Sequence, residues 1–264
     1  MQVISKKINY MDIKDFKGNF AYESDSTELV EKDTIITDAE TGQVLLLYKK
    51  LNNDTSKLLK AVKSIKYNEG QRTGGLASVS AIFGYRPRNA IRNDYCSATT
   101  IKRDFDWQHS VITDFGKVLS KEYEKHLKEK FEEHQELIKE KVKDEWVIED
   151  TPFTSGIINK DNRLAFHRDQ GNFAGLYSNM VVLKKDVDGG RLYIPELGVK
   201  VDCADNTIVY FDGQRLIHGV TEIKKKNKSA YRYTLVYYSL QQMWKCETLE
   251  EEVARINKIK ANRH

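Results

Sequence analysis

The second half of the chain alternates short apolar segments with turn residues, and this pattern restricts the fold more than any other feature. Segments rich in Val, Ile, Leu, Tyr and Phe predict strands near residues 153–159, 163–168, 175–184, 190–194, 198–202, 206–211, 217–223 and 229–239. The Asn, Asp and Gly residues that favour tight turns lie at residues 159–162, 188–190, 205–206 and 212–213. About eight short strands at this spacing are typical of a β-sandwich or a jelly-roll barrel.

The first third of the chain adds a hairpin and a helix. Residues 33–38 and 42–49 predict two antiparallel strands with Gly42 in the turn. A helix-start signal at residues 54–56 precedes a periodic apolar pattern, which we expect to end near residues 68–70.

The middle of the chain is the most helical part. Apolar residues recur at four-residue spacing between residues 113 and 143, with Lys and Glu on the other faces. This pattern predicts one amphipathic helix, or two with a break, packed against a sheet. His126 and His134 lie among the charges, and we expect both at the surface. Residues 247–261 predict a polar helix.

Composition indicates a globular protein. The chain has 264 residues, of which 40% are hydrophobic and 31% charged. Its apolar runs are far too short to span a membrane, and its first residues form no apolar signal core. Three scattered cysteines, Cys96, Cys203 and Cys246, argue against a disulfide framework and a zinc cluster, and for a reducing intracellular setting. The net charge of +4 permits a nucleic-acid partner without requiring one.

Two residues in the strand-rich half suggest a metal site. His167 and Asp169 are separated by one residue, so in a strand their side chains project from the same face. A His-x-Asp pair alone is common and is weak evidence, but His218 offers a third ligand. Two histidines and one carboxylate form the facial triad of non-haem Fe(II) oxygenases, although zinc can use the same ligands.

An arginine in the last predicted strand favours iron over zinc. Arg232, Thr234, Val236 and Tyr238 alternate along this strand and share one face, which is otherwise mostly apolar. A guanidinium there needs an anionic partner, and the C5 carboxylate of 2-oxoglutarate would supply one through a bidentate pair. Because a zinc hydrolase has no need of such an arginine, the pattern predicts Fe(II) with 2-oxoglutarate.

Residues 72–96 combine arginines with amides and aromatic residues. The arginines are Arg72, Arg86, Arg88 and Arg92, and the amides among them include Asn89 and Asn93. One interpretation is a solvated loop with surface charges. The other is a substrate-facing segment in which arginines bind phosphates, amides bind base edges and an aromatic ring stacks.

The motifs together resemble the TET/JBP family over roughly residues 70–240. Two local features narrow the resemblance: Asn172, three residues after the metal-binding aspartate, and the Arg-x-Thr-x-Val-x-Tyr strand that begins at Arg232. Members of this family are Fe(II)- and 2-oxoglutarate-dependent dioxygenases that hydroxylate the methyl group of 5-methylcytosine or thymine in DNA. The resemblance implies an α+β fold with a double-stranded β-helix (jelly-roll) core and with N-terminal and flanking helices packed on its outer sheet.

The resemblance also implies roles for individual residues. The metal and catalytic residues would be His167, Asp169 and His218. The residues that hold 2-oxoglutarate would be Arg232 and Thr234. Asn172 would contact the base edge, and Val236 and Tyr238 would pack against a pyrimidine flipped out of the duplex. From the arginine-rich segment we add Arg92 and Asn93 as candidate substrate-binding residues.

One position departs from the family pattern. Cytosine-oxidising members carry a base-contacting histidine two residues beyond the aromatic position, where this chain has Leu240. The choice between 5-methylcytosine and thymine therefore stays open. In the length of its sequence the chain is similar to compact microbial or phage-type members.

We therefore expect a single oxygenase domain. Its parts would be an N-terminal extension with substrate-facing loops over residues 1–100, helical support over 101–150, the jelly-roll core over 151–246 and a C-terminal helix over 247–264. The expected cofactors are Fe(II) and 2-oxoglutarate, with stimulation by ascorbate. The expected partner is double-stranded DNA of a host or virus inside the cell, bound by a monomer with no membrane association.

Two other functions are compatible with parts of this pattern. An oxygenase acting on a protein side chain, an RNA base or a small molecule would keep the triad and Arg232 but would not need Asn172 or the arginine-rich segment. A jelly-roll module that reads modified DNA without turnover would not need a complete triad.

Overall fold

The structure, a computed structural model, describes residues 1–25, 27–71, 77–88 and 95–261. Its strands are β1 Gln2–Lys6, β2 Glu28–Val30, β3 Thr34–Asp38, β4 Val44–Lys50, β5 Asn68–Gln71, β6 Ala77–Arg86, β7 Ser97–Ala98, β8 Ser155–Lys160, β9 Ser178–Lys185, β10 Val187–Gly189, β11 Leu192–Ile194, β12 Val199–Val201, β13 Thr207–Phe211, β14 Gly219–Val220, β15 Ile223–Lys225 and β16 Tyr231–Tyr238. Its α-helices are α1 Ser56–Lys63, α2 Thr100–Asp104, α3 Asp106–His126, α4 Lys128–Lys141 and α5 Leu249–Ala261. Short 3-10 helices lie at Ile13–Phe16, Asp144–Trp146, Pro195–Leu197 and Gln241–Lys245.

Two sheets form the core. The larger has the strand order β1-β3-β4-β13-β9-β16-β8-β6-β5, with β7 paired to β6, and the smaller has the order β14-β11-β12-β2. An apolar cluster between them joins Val209 and Met180 of the larger sheet to Leu192 and Val199 of the smaller. The predicted α+β jelly-roll fold class is confirmed.

Alternation along the central strands gives the larger sheet two different faces. In β16, Tyr233, Leu235 and Tyr237 pack into the core beneath the helices. Thr234 and Val236, between them, line a cavity on the opposite face. The predicted inward face of this strand is therefore confirmed.

Helices α1, α3 and α4 cover the outer face of the larger sheet. The predicted amphipathic segment forms two helices, α3 and α4, with the break at Leu127. The hydroxyls of Tyr210 and Tyr237 reach from the sheet and donate to the carbonyls of Leu119 and Ile112 in α3, at 2.9 and 2.7 Å. Across the described ranges, no helix has the length and apolar character needed to cross a membrane.

Three predicted element boundaries are wrong. Residues 163–168 form no strand: Phe166 donates its N–H to the carbonyl of Asn19 in the N-terminal segment, and His167 forms only an isolated bridge with His218. The predicted strand at 217–223 is interrupted: β14 covers only Gly219–Val220, and Ile223 begins β15. Helix α1 ends at Lys63, and the residues expected at its end pair with β6 as strand β5 instead.

His134 is buried, so its predicted surface position is wrong. The residue is 1% exposed, and burial lowers its pKa to about 3. It lies three residues after Phe131 and four before Ile138, and all three form the buried side of α4. His126 is half-buried beside Glu122, with Nε2 to Oε2 at 3.2 Å.

The cysteine prediction is also wrong, because Cys96 and Cys246 form a disulfide. The two residues are 150 positions apart and meet in an apolar cluster with Trp146 and Phe173. Their spacing carried no sign of this pairing, which depends on two distant segments of the chain folding together. Cys203 is free and buried.

Candidate active site

The three predicted metal ligands meet at one point. His167 and His218 are opposite residues of an antiparallel bridge, and each donates its backbone N–H to the other's carbonyl, at 2.9 and 3.0 Å. Asp169 Oδ1 lies 3.7 Å from Nε2 of each histidine. All three ligand atoms are within 4.8 Å of one another. One ion can therefore contact all three residues, as a facial triad requires.

Backbone carbonyls orient both imidazole rings. Nδ1 of His167 lies 2.8 Å from the carbonyl of Ala165, and Nδ1 of His218 lies 2.9 Å from the carbonyl of Leu216. Because a carbonyl only accepts, each Nδ1 carries the proton and each Nε2 presents a lone pair towards Asp169. This neutral tautomer is the form of histidine that binds a metal.

Asp169 is held by the backbone and by a chain of two side chains. Its N–H donates to the carbonyl of Gly213 at 2.8 Å, and a Cβ at position 213 would lie only 2.2 Å from Asp169 Oδ2. Ser178 donates to Oδ2 at 3.3 Å, and Asn172 Nδ2 donates to Ser178 at 3.1 Å. Sequence reasoning missed Ser178, although alternation along β9 places it on the same face as Met180.

Arg232 is a buried cation that opens on the same cavity. It is 2% exposed, and its Nε has no hydrogen-bond partner among the described residues. No carboxylate in the described part of the chain forms an ion pair with it, and the neighbouring Asp161 pairs with Lys225 at 2.6 Å. Burial lowers the pKa of the guanidinium, whose side-chain contact is the Cys203 thiol. A Cβ at Gly190 would lie 2.7 Å from Nε. A buried guanidinium that lacks an anionic partner is suited to bind the carboxylate of a ligand.

A cavity of about 220 Å³ joins the metal ligands to the buried arginine. Its walls include four further predicted site residues, Asn172, Thr234, Val236 and Tyr238, and also Leu240. The structure thus brings these residues together with the triad. Their roles towards 2-oxoglutarate and a base stay predictions.

The arginine-rich segment is only partly within the described residues. Arg72, Asn89, Arg92 and Asn93 lie outside them. Arg86 donates through Nε to Ser97 Oγ at 2.9 Å. Arg88 donates through Nε to both carboxylate oxygens of the buried Glu252, at 2.8 and 2.9 Å. Arg88 is therefore committed to holding α5 and is not free for a phosphate, because a buried carboxylate needs its cation.

The part of the sequence that forms this site also matches a known protein family. Residues 91–241, more than half of the chain, match Tet_JBP, described as the oxygenase domain of the 2OGFeDO superfamily. The chain belongs to the TET/JBP family. The predicted family is therefore confirmed, and the matched region contains the triad, Arg232 and the cavity-lining strand β16.

Two curated relatives from trypanosomes share part of this TET/JBP sequence. The bifunctional helicase and thymine dioxygenase JBP2 of Trypanosoma brucei brucei (strain 927/4 GUTat10.1) is 30% identical over 111 residues, 42% of this chain and 10% of JBP2. The thymine dioxygenase JBP1 of Trypanosoma brucei brucei is 30% identical over 115 residues, 43% of this chain and 14% of JBP1. The similarity therefore spans only a small part of either relative.

A solved structure extends the likeness over nearly the whole fold. The structure described as NgTET1 in complex with 5mC DNA has a TM-score of 0.62 at 12% identity, covering 89% of this chain and 91% of that chain. At this identity the likeness shows a shared fold. It supports the double-stranded β-helix independently of the sequence match.

Proposed function

We propose that this TET/JBP protein is an Fe(II)- and 2-oxoglutarate-dependent dioxygenase that hydroxylates the methyl group of a 5-methylpyrimidine, 5-methylcytosine or thymine, flipped out of duplex DNA. The observation that carries the proposal is the convergence on one cavity of three residues that could hold a metal ion and a buried arginine that has no ion pair among the described residues. A zinc hydrolase would use the triad but leave the arginine without a partner.

The residues present fit both cofactors. His167, Asp169 and His218 would hold Fe(II), while Arg232 and Thr234 would hold 2-oxoglutarate. Bound together, these cofactors activate dioxygen and supply an oxidant for an inert C–H bond. The protein's own task is to orient Asp169, to bind the co-substrate carboxylate and to exclude water from the reacting methyl group.

The cavity walls divide these tasks. Val236, Met180 and Leu240 provide an apolar surface that excludes water from the methyl group. Asn172 can both donate and accept, so it can bind either pyrimidine edge. One of its amide protons is already given to Ser178, and the other side of the amide is left for a base.

Support for DNA as the substrate comes from the relatives. The two curated relatives are named thymine dioxygenases, and NgTET1 was solved with 5mC DNA. Within this chain, Leu240 cannot hydrogen-bond a base. A missing polar contact of this kind gives up about 1–3 kcal/mol of discrimination. Both 5-methylpyrimidines therefore remain within the proposal.

The proposal includes a monomeric enzyme, stimulation by ascorbate and action on host or viral DNA inside the cell. The Cys96–Cys246 disulfide removes the cysteine argument for a reducing compartment. The intracellular location now rests on DNA as the partner.

Mass spectrometry of nucleosides tests the substrate. Duplexes that contain either thymine or 5-methylcytosine as the 5-methylpyrimidine would be incubated with the protein, Fe(II), 2-oxoglutarate and ascorbate. We expect a hydroxymethyl nucleoside from one of them and a matching yield of succinate. The matched control is Asp169→Ala, which removes a ligand without touching the apolar core.

Two outcomes would redirect the proposal. Hydroxylation of a peptide, an RNA base or a small molecule, with both DNA bases unchanged, would keep the oxygenase and discard the DNA substrate. DNA binding without succinate release would instead indicate a module that reads modified bases. Fluorescent duplex binding at two salt concentrations supplements this test, since phosphate contacts lose affinity steeply with salt.

A further inference from the structure

Glu196 is a fully buried carboxylate behind the metal ligands. It lies in the short helical turn Pro195–Leu197, and its side chain has no solvent exposure. Its neighbours Arg168 and Ile217 alternate with the ligands His167 and His218, so they project from the opposite side of the bridge. Glu196 therefore faces the back of the ligand pair, away from the cavity.

Both ligand-bearing segments bind this one carboxylate. Arg168 donates through Nη2 to Oε1 at 2.7 Å, and the backbone N–H of Ile217 donates to Oε2 at 2.7 Å. Arg168 lies between the first two ligands in the sequence, and Ile217 directly precedes the third. Glu196 thus adds a second connection between the two segments, beside the backbone pairing of His167 with His218.

The N-terminal segment closes the same cluster. The N–H of Met11 donates to Glu196 Oε1 at 3.2 Å, and Arg168 Nη2 also donates to the carbonyl of Met11 at 3.2 Å. Phe16 packs edge-on against Phe166, with ring centroids 5.2 Å apart. These contacts bury the Glu196 carboxylate completely, while the Arg168 side chain stays 32% exposed. A buried carboxylate of this kind needs its cation and its N–H donors.

We infer that Glu196 is a positioning residue for the metal centre: it sets the spacing of the His167–Asp169 and His218 segments by binding Arg168 and Ile217 together. The inference rests on the metal site of the proposed function but on none of its statements about DNA. Partners behind metal ligands typically change metal affinity 10- to 100-fold when they are replaced.

Glu196→Gln is the most direct test, because it keeps the shape and removes the charge. Arg168 and Ile217 donate to different oxygens of Glu196, and a glutamine places an NH₂ donor at one of these two positions, so one of the two donors meets another donor. Mn(II) affinity would be measured by electron paramagnetic resonance without 2-oxoglutarate or DNA. We expect Glu196→Gln to bind Mn(II) 10- to 100-fold more weakly than the wild type.

A second buried carboxylate provides the matched control. Glu252 is also fully buried and also pairs with an arginine, Arg88, but it holds α5 and contacts no ligand segment. Glu252→Gln should therefore lower the melting temperature by circular dichroism and leave the Mn(II) affinity unchanged. Equal Mn(II) affinity in Glu196→Gln and the wild type would overturn the inference.

If Glu196→Gln does not fold, substitutions of Arg168 test the positioning role of Glu196 instead. Arg168→Lys keeps a cation near Glu196, whereas Arg168→Met does not, so Mn(II) affinity should fall in the order wild type, Arg168→Lys, Arg168→Met. Wild-type affinity in Arg168→Met would overturn the inference. A wild-type protein that binds no Mn(II) would remove the metal site itself, and with it both the inference and the proposed function.

Discussion

Acid should destabilise this protein in part through the buried histidine His134. Its Nε2 donates to Ser239 Oγ at 2.8 Å, because that hydroxyl gives its own proton to the carbonyl of Pro152 at 2.7 Å. Its Nδ1 is buried and has no hydrogen-bond partner among the described residues. The rings of Tyr123 and Phe153 lie 6.0 and 5.8 Å away, centroid to centroid. A proton on Nδ1 would be a charge in apolar surroundings.

The size of the effect follows from the shift in pKa. Burial lowers the pKa of His134 from 6.5 to about 3. The unfolded chain therefore binds a proton below about pH 6.5 and the folded chain only near pH 3, so stability falls as the pH drops through that window. For one such site the free energy of unfolding falls by about 2 kcal/mol between pH 7 and pH 5.

Urea unfolding of the wild type and His134→Gln at pH 7 and pH 5 measures how much of the lost free energy of unfolding is due to His134. The glutamine amide can still donate to Ser239 but does not titrate. We expect the variant to lose about 2 kcal/mol less than the wild type on acidification. His126→Gln is the control, because that residue is half-buried beside Glu122 and should change the pH dependence less. An identical pH dependence in His134→Gln and the wild type would refute the reasoning.

Four further substitutions test the site and the disulfide. Arg232→Met should raise the KM for 2-oxoglutarate at least about tenfold, since a charge-assisted contact is lost; an unchanged KM in a succinate assay would assign the anchor to another cation. Ser178→Ala removes the hydroxyl that donates to Asp169 and should weaken Mn(II) binding about tenfold; equal binding would show that the hydroxyl is dispensable. Asn172→Ala should lower base hydroxylation more than uncoupled 2-oxoglutarate consumption; equal losses would make Asn172 a support of Asp169 only. Cys96→Ser should lower the free energy of unfolding by about 2–4 kcal/mol; a melting curve unchanged from the wild type would contradict the disulfide's stabilising role.

Features governed by local alternation were predictable from the sequence. In β16 the period of two placed Arg232 and Thr234 on the cavity side and Tyr237 towards the helices, as the structure shows. The one-residue gap between His167 and Asp169 also predicted that these two side chains would lie together, which they do, although His167 forms only an isolated bridge and not a strand. In these cases the side-chain direction depends only on neighbouring residues in the chain.

Contacts between distant segments were not predictable. Glu252 and Arg88 are 164 positions apart. The sequence around each of them predicts only an exposed charged side chain. Glu196 lies in a Pro-Glu-Leu-Gly turn, where an exposed side chain is the usual expectation. Its burial depends on Arg168, Met11 and Ile217 arriving from three other parts of the chain. No local period encodes such an arrangement.

The most direct test of the central claim is a labelling measurement with ¹⁸O₂. Wild-type protein would be incubated with Fe(II), 2-oxoglutarate and a duplex containing 5-methylcytosine or thymine, and the succinate and nucleosides would be analysed by mass spectrometry. A dioxygenase should place one labelled oxygen in succinate and one in the hydroxymethyl group of the base, and His218→Ala should form neither product. Labelled succinate with both bases unmodified, or a hydroxymethyl oxygen derived wholly from water, would contradict the account.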